Sequence, residues 1–457
     1  YPMVLPVLDQ IDALSSGSDR HSGLSGEASL LRGMTLTRSG DSKRGLKYLK
    51  AALAGIPDSS LEARAQAEVM FSLASQMEGQ KDEAIRFLDE MMSKSPVPHG
   101  VRKSRLLQAY VFLHIISGHL TQAEVANQPM GALTRDPNVY GEAWSEYLQG
   151  VIHLHRYELD AALERLECFR GTTSRRYIHF RRAAIDSLTC LLLTCRLLGR
   201  AREEENALQL LREYVAGNDD PRLSILVGSA VARIDVLRGC SESAIRWAET
   251  AEVSFDRTML WFLDTPSITA CRDRIAEGSA ASLHSAEKAL CKLAKDNEFQ
   301  HNASKLVEIL CLLAVACRQQ DDVRSAQEHL DRALGLARPG GIVLPFVEWS
   351  PPLAKVMAGL VPRNSDWLSR QIHQILGGRQ LVEPAPQAVV DALTNRELDV
   401  LGLLGQRLYD KEIAAELGIS VETVKTHLKR IYGKLGVSGR RPAATKAREL
   451  GLLAESR

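Results

Sequence analysis

Aromatic residues are scarce in this chain of 457 residues: nine Phe, ten Tyr and five Trp, or 5%. With Leu and Ala abundant, that balance favours helices over sheets. No excess of one charge exists either, since the net charge is only +1. None of the eight cysteines forms a CxxC pair. Most of Cys168, Cys190, Cys195, Cys240, Cys271, Cys291, Cys311 and Cys317 sit inside apolar runs such as CLLLTC and CLLAVAC. A zinc site or disulfide framework needs tighter or paired spacing, so buried, reduced thiols in a cytoplasmic protein are expected. Apolar runs long enough to span a membrane are missing, because Arg196 or Arg318 ends the longest ones. The first residues, YPMVLPVLDQ, have no basic segment, so no signal peptide is expected. They also lack an initiating Met, as a fragment or processed product would. Catalytic signatures are absent too: there is no HExxH, GxSxG or paired-carboxylate constellation. The nearest approach to a phosphate loop, Gly40 to Lys47 (GDSKRGLK), lacks Lys after its second Gly and a following Ser or Thr. No enzyme and no cofactor site are therefore expected in these residues. The runs Glu203-Glu204-Glu205 and Asp321-Asp322 read as solvated helix ends or turns.

What is present is length, repetition and a basic end. The chain is too long for one ordinary core, so several domains or a repeat array are expected. From Thr394 onward there are twelve Lys and Arg against eight Asp and Glu, a net of +4 that leaves −3 for the remainder. Residues 28–57 place Gly33, Gly40, Gly45, Leu49, Ala52 and Pro57 in a pattern of small residue, Gly turn, small residue, two apolar residues and closing Pro. A step of 39 reproduces it as Ser72, Gly79, Ala84, Leu88, Met91 and Pro96. The next step gives Val111, Gly118 and Ala123, with Asn127 replacing the expected Leu. A third gives Gly150, Tyr157, Ala162, Leu166 and Phe169. Later segments keep the pattern more loosely, at Gly239, Ala244 and Ala248, and at Ala326, Leu330 and Ala333. Small residues let two helices of a hairpin approach, and Gly ends the first helix in the left-handed conformation. These positions resemble tetratricopeptide-type repeats of lengthened period. An all-α fold follows: a tetratricopeptide-like helical solenoid over residues 1–376 as a sensor and oligomerisation array. A Gly- and Pro-marked linker follows over 377–390, then a final domain over 391–457.

In the final domain Thr394 and Glu397 form a capping box that opens a first helix, with Leu398, Leu401 and Leu404 along one face. A second helix from Asp410 to Leu417 points Ile413 and Leu417 inward and uses Ala414 for a close crossing. Gly418 turns the chain, Ile419 plugs the core and Ser420 caps a third helix. There Val424, Leu428, Ile431 and Leu435 face inward, while Glu422, Lys425, Thr426, Lys429 and Arg430 face out. An apolar face beneath a basic one suits a helix lying in the DNA major groove. His427, in the middle of that helix, suits a structural role or a phosphate contact better than general-base chemistry.

The words LTNRE, KEIA, ISVETVKTH and IYGKLGV, followed by Arg440 and ARELGLL, resemble the LuxR-type DNA-binding domain over roughly 60 residues. That resemblance implies a four-helix helix-turn-helix domain with base contacts at Lys425, Thr426 and Lys429. It implies phosphate contacts at Lys411, Ser420 and Thr423, with Arg430 and Lys434 added. Arg407, Tyr409 and Asp410 depart from the usual Gly, Ser and Asn. The stripe Ala443, Ala447 and Leu450 in a fourth helix resembles the family's dimer face. Region 4 of sigma factors shares a KEIA…TVK core, which leaves a sigma-like promoter-recognition subunit as an alternative. It normally lacks the KLGV segment and the fourth helix.

A tetratricopeptide-like array joined to such a domain resembles the large ATP-binding, maltose-activator-like subfamily of LuxR-type regulators. The tail ALGLARPGGIVLPFVEWSPPLAKVM looks like the segment that closes such arrays, although Trp349-Ser350-Pro351 departs from its acidic-Gly pair. The resemblance implies a cytoplasmic bacterial transcriptional regulator whose array senses a small-molecule or protein inducer. Its partners would be double-stranded DNA, RNA polymerase and further copies of itself, joined through the last helix or the array. ATP would enter only through an upstream domain outside this sequence. A scaffold or adaptor whose array recruits a protein, with DNA as a tether, is the other alternative. His153, His155, Tyr157 and Arg175-Arg176 read as ordinary solvated or packed side chains.

Overall fold

Small residues at hairpin contacts and a left-handed residue after the first helix of each of eight successive hairpins build the array. In the computed structural model of the chain, the described residues are 6–10, 22–94, 101–132, 141–173, 181–216, 221–250, 263, 265–362, 366–378, 395–405, 408–435, 437 and 439–449. Among them every regular element is helical. The array comprises α1 (Ser22–Arg38), α2 (Ser42–Gly55), α3 (Leu61–Met77), α4 (Lys81–Ser93), α5 (Val101–Ile116), α6 (Leu120–Ala132), α7 (Gly141–His155) and α8 (Leu159–Thr173). It continues with α9 (Arg181–Leu198), α10 (Ala201–Val215), α11 (Pro221–Arg238), α12 (Ser241–Thr250), α13 (Pro266–Glu277), α14 (Ala280–Phe299), α15 (Ala303–Gln319) and α16 (Val323–Ala337). A single turn α17 (Leu344–Val347), then α18 (Pro351–Leu360) and α19 (Trp367–Gly378), close it. The last helix thus runs two residues into the expected linker, and residues 379–394 lie outside the described ones.

The 39-residue step is visible in the backbone. Gly40, Gly79 and Gly118 have φ of +96°, +76° and +75°, and Tyr157 takes the same conformation at +65°. A non-glycine residue there costs roughly 1–2 kcal/mol, which the surrounding repeats must offset. The positions after the turn are the hairpin contacts: Leu49, Ala52, Ala84, Leu88, Ala123, Ala162 and Leu166 are all buried. At Gly33 and Gly150 a methyl group would lie 2.7 and 2.8 Å from Leu49 and Leu166 respectively, one period-related contact repeated across 117 residues. Asn127, at the Leu position, is buried as well; its amide donates to the Ser145 carbonyl and to Gln149, each at 3.0 Å.

Odd-numbered helices stack on one another as an inner row, and even-numbered ones cover them with an exposed face outward. The row curls until its end meets its beginning. Gln76 donates to the Gln300 carbonyl at 2.7 Å, His301 bonds the Gly79 carbonyl at 3.1 Å, and Ser304 bonds the Ile115 carbonyl. Helix α15 lies at the centre, buried on all sides from Ser304 to Cys317. A helix apolar all round has that place in a fold.

Two expectations need correction. Glu204 is buried, paired with Arg238 and Arg196, although its neighbours in the run Glu203-Glu204-Glu205 are exposed. Of the cysteines, Cys168 and Cys291 are exposed and Cys240 half-buried, while the other five are buried as expected, and all eight are free thiols. Burial pushes the Cys195 and Cys271 thiols up to about 12. Among the described residues no helix is long and apolar enough to cross a membrane, and no cluster of three or more His, Cys, Asp or Glu could hold a metal ion.

Candidate nucleic-acid interface

The final domain has its own core. Helices α20 (Asn395–Gly405), α21 (Asp410–Leu417), α22 (Val421–Leu435) and α23 (Arg440–Glu449) enclose Val400, Leu401, Leu404, Ile413, Ala414, Val424, Leu428, Ile431, Leu435, Ala443 and Ala447. Gly418, at φ +63°, ends α21, and the Ile419 amide bonds back to the Ala414 carbonyl at 3.0 Å. Ser420 caps α22 through the Thr423 amide at 3.1 Å. Thr394 and the Leu398 side chain fall outside what is described, as does Arg407. The Glu397 carboxylate is buried and accepts from Lys434 at 2.8 Å.

Period and burial together orient α22. Val424, Leu428, Ile431 and Leu435 are buried, whereas Glu422, Thr423, Lys425, Thr426, Lys429 and Arg430 are exposed. The three expected base readers, Lys425, Thr426 and Lys429, therefore share one open face with Arg430. Lys425 rests on Glu422 at 3.2 Å, a surface pair of small net worth that a phosphate or base can displace. Thr426 bonds the Glu422 carbonyl at 3.0 Å through its hydroxyl. Lys411 is exposed on α21, and Ser420 is exposed at the helix junction.

Lys434 stands apart from the other expected phosphate contacts. Its side chain is only 14% exposed, and its ammonium lies between Glu397 and, at 3.5 Å, Glu242 of α12. His427 is half-buried, with Nδ1 turned inside the domain. Ala443 and Ala447 are fully buried in the domain's own core, so the stripe expected to form a dimer face is already covered at those two positions; Leu450 is outside the described residues. Helix α23 was amphipathic in sequence because it closes this small core.

Two residues missed as site elements emerge from the departures in the α20–α21 connection. Asp410 accepts from Arg440 at 2.7 Å and so ties the start of α23 to the start of α21. Tyr409 is 74% exposed while its amide donates to Glu412 at 2.6 Å, completing the first turn of α21. Their signal was the substitution itself: an acid facing an Arg thirty residues on, and an aromatic at a cap.

Residues 26–362 match the family described as MalT-like TPR region, and residues 391–447 match Bacterial regulatory proteins, luxR family. The chain belongs to the MalT-like family. A relative called HTH-type transcriptional regulator MalT in Klebsiella pneumoniae is 24% identical over 436 residues, covering 82% of this chain and 48% of that protein. Proteins of the same name in Serratia proteamaculans and Yersinia enterocolitica are 29% and 28% identical over 154 and 169 residues. Those two alignments cover 29% and 32% of this chain and 17% and 19% of the relatives. The chain spans about half the length of that Klebsiella relative. The matches place the tetratricopeptide-type array and the luxR-type helix-turn-helix domain in the order that the sequence implied.

Proposed function

We propose that this chain is the sensing and DNA-reading portion of a bacterial cytoplasmic transcriptional regulator. Helix α22 enters the major groove, with Lys425, Thr426 and Lys429 reading base edges. Lys411, Ser420, Thr423 and Arg430 hold the phosphates on either side and set the register. Lys434 acts first as a pin between α22 and α20 and reaches a phosphate only by releasing a carboxylate. The array receives a small-molecule or protein inducer and governs self-association, so that paired domains meet paired half-sites and recruit RNA polymerase. These residues require no cofactor for that task.

One observation carries the proposal: the expected base readers are all exposed on one side of a helix whose other side is the core of a luxR-type domain. Binding of fluorescent duplex DNA across a salt series tests it. With Lys411, Lys425, Lys429 and Arg430 neutralising phosphates or lying against them, the logarithm of affinity should fall with a slope of about −2 to −4 per domain. A slope near zero removes the nucleic-acid reading.

A further inference from the structure

The inner channel of the curled array is filled by a piece of the chain that belongs to none of its hairpins. Residues 342–350 run through it, and Ile342, Val343, Phe346, Val347 and Glu348 are essentially inaccessible to solvent. The Val343 amide donates to the His155 carbonyl at 2.8 Å, on the far side of the curl. At the other end, Glu348 is gripped by three contacts from successive inner helices. Arg233 of α11 donates to both carboxylate oxygens at 2.6 Å, and Arg272 of α13 donates to the Glu348 carbonyl at 3.2 Å. The Arg272 guanidinium also lies 5.6 Å from the centre of the Trp349 ring. Glu308 of α15 bonds Arg272 at 3.0 Å and Lys305 at 2.8 Å, holding these cations in place.

A buried, bidentate ion pair is a poor device for stability alone, because an apolar pair of the same volume is commonly as good or better. It is a good device for choosing one partner by charge and shape. The segment is also set off from the helices on both sides: Pro339-Gly340-Gly341 precede it, with Gly341 at φ +71°, and Pro351-Pro352 open α18 after it. It crosses as one helical turn, Leu344–Val347, held by the Val343 amide at one end and by the Glu348 carboxylate at the other.

We propose that the inner channel is a binding site for a short apolar segment of one helical turn bearing one carboxylate, and that residues 342–350 are its built-in, releasable occupant. Arg233 and Arg272 are the specificity-determining residues, selecting the carboxylate and the adjoining aromatic ring. Release frees these cations for an outside ligand of the same chemistry. The proposal is independent of DNA binding, and its test uses no DNA.

Amide hydrogen exchange on the full chain, read by mass spectrometry at low denaturant, is the test. The quantity measured is the exchange of residues 342–350 relative to that of α15, which is packed beside them. A releasable occupant exchanges faster than α15 in the unaltered protein, through an opening that leaves α15 protected. Glu348→Gln should widen that ratio by about 100-fold. The pair-removing variant Arg233→Met with Glu348→Leu should return the ratio toward that of the unaltered protein. Equal protection of 342–350 and α15 in the unaltered protein overturns the proposal by itself, even if Glu348→Gln does not fold. An equal rise in both segments on Glu348→Gln overturns it as well, because the segment is then ordinary core.

Discussion

Replacing Gly150 by Ala inserts one methyl group into the contact between α7 and α8. Its carbon would stand 2.8 and 2.9 Å from Leu166 Cγ and Cδ2, whereas carbon atoms rest comfortably at roughly 3.5–4.0 Å. Leu166 is buried and has no open side to move into, so the two helices must part or the leucine must leave its rotamer. Overpacking of this kind costs about 1–3 kcal/mol. Against it stands the ordinary gain of about 1 kcal/mol when Ala replaces Gly inside a helix. Gly335 supplies the control, since it lies within α16 and a methyl group there meets nothing within 4 Å. Because the propensity gain is common to both sites, the two variants should differ by the overpacking cost alone, about 1–3 kcal/mol. Gly335→Ala should stabilise, and Gly150→Ala should destabilise or break even. Urea unfolding ranks the variants, and amide exchange within α7 and α8 localises the loss. If Gly150→Ala is as stable as Gly335→Ala, the hairpins are not packed as described and the 39-residue step has lost its physical basis.

Three other outcomes follow from the described contacts. Lys425→Ala or Lys429→Ala should cost about 1–3 kcal/mol on a specific site and relax its sequence preference, while Lys411→Ala should weaken all duplexes alike and lower the salt slope by about one; titrations on specific and random DNA separate the two. Lys434→Met should lower the stability of the final domain by about 1–3 kcal/mol, because the buried Glu397 carboxylate loses its cation; unchanged thermal unfolding with weaker DNA binding would make Lys434 a phosphate contact only. Burial first, and then the nearby Lys305, lower the His155 pKa to about 4, whereas an unfolded histidine titrates near 6.5. The unfolded chain therefore binds the extra proton first, and the stability contributed by neutral His155 is complete above about pH 6.5 and lost as pH falls toward 4, by up to about 3 kcal/mol. His155→Gln should flatten the dependence of the urea midpoint between pH 6.5 and 4.5, and an unaltered slope would refute the assignment.

What the sequence discloses is what repeats or what is local. Gly40, Gly79, Gly118 and Tyr157 share one backbone conformation because each ends an inner helix at the same place in its repeat. The apolar and basic faces of α22 could be read in the same way, since Val424, Leu428, Ile431 and Leu435 recur with the helical period. Contacts between distant parts of the chain were not legible. Nothing local to Glu348 announces Arg233, 115 residues earlier, and nothing in the run Glu203-Glu204-Glu205 says which acid turns inward to Arg238. The alanines of α23 show why an apolar stripe alone does not name its partner, for Ala443 and Ala447 meet the domain's own core. Lys434 carries the same lesson for charge: its place on a basic helix suggested DNA, and its ammonium is held by Glu397 and Glu242.

Selection of binding sites from a random pool of duplex DNA, using the purified chain and its Lys425→Ala variant in parallel, addresses sequence-specific recognition most directly. A short motif should emerge with the unaltered chain and fade or lose a defined position with the variant. Identical enrichment by both proteins, or none by either at low salt, would contradict the assignment of α22 as the reading helix.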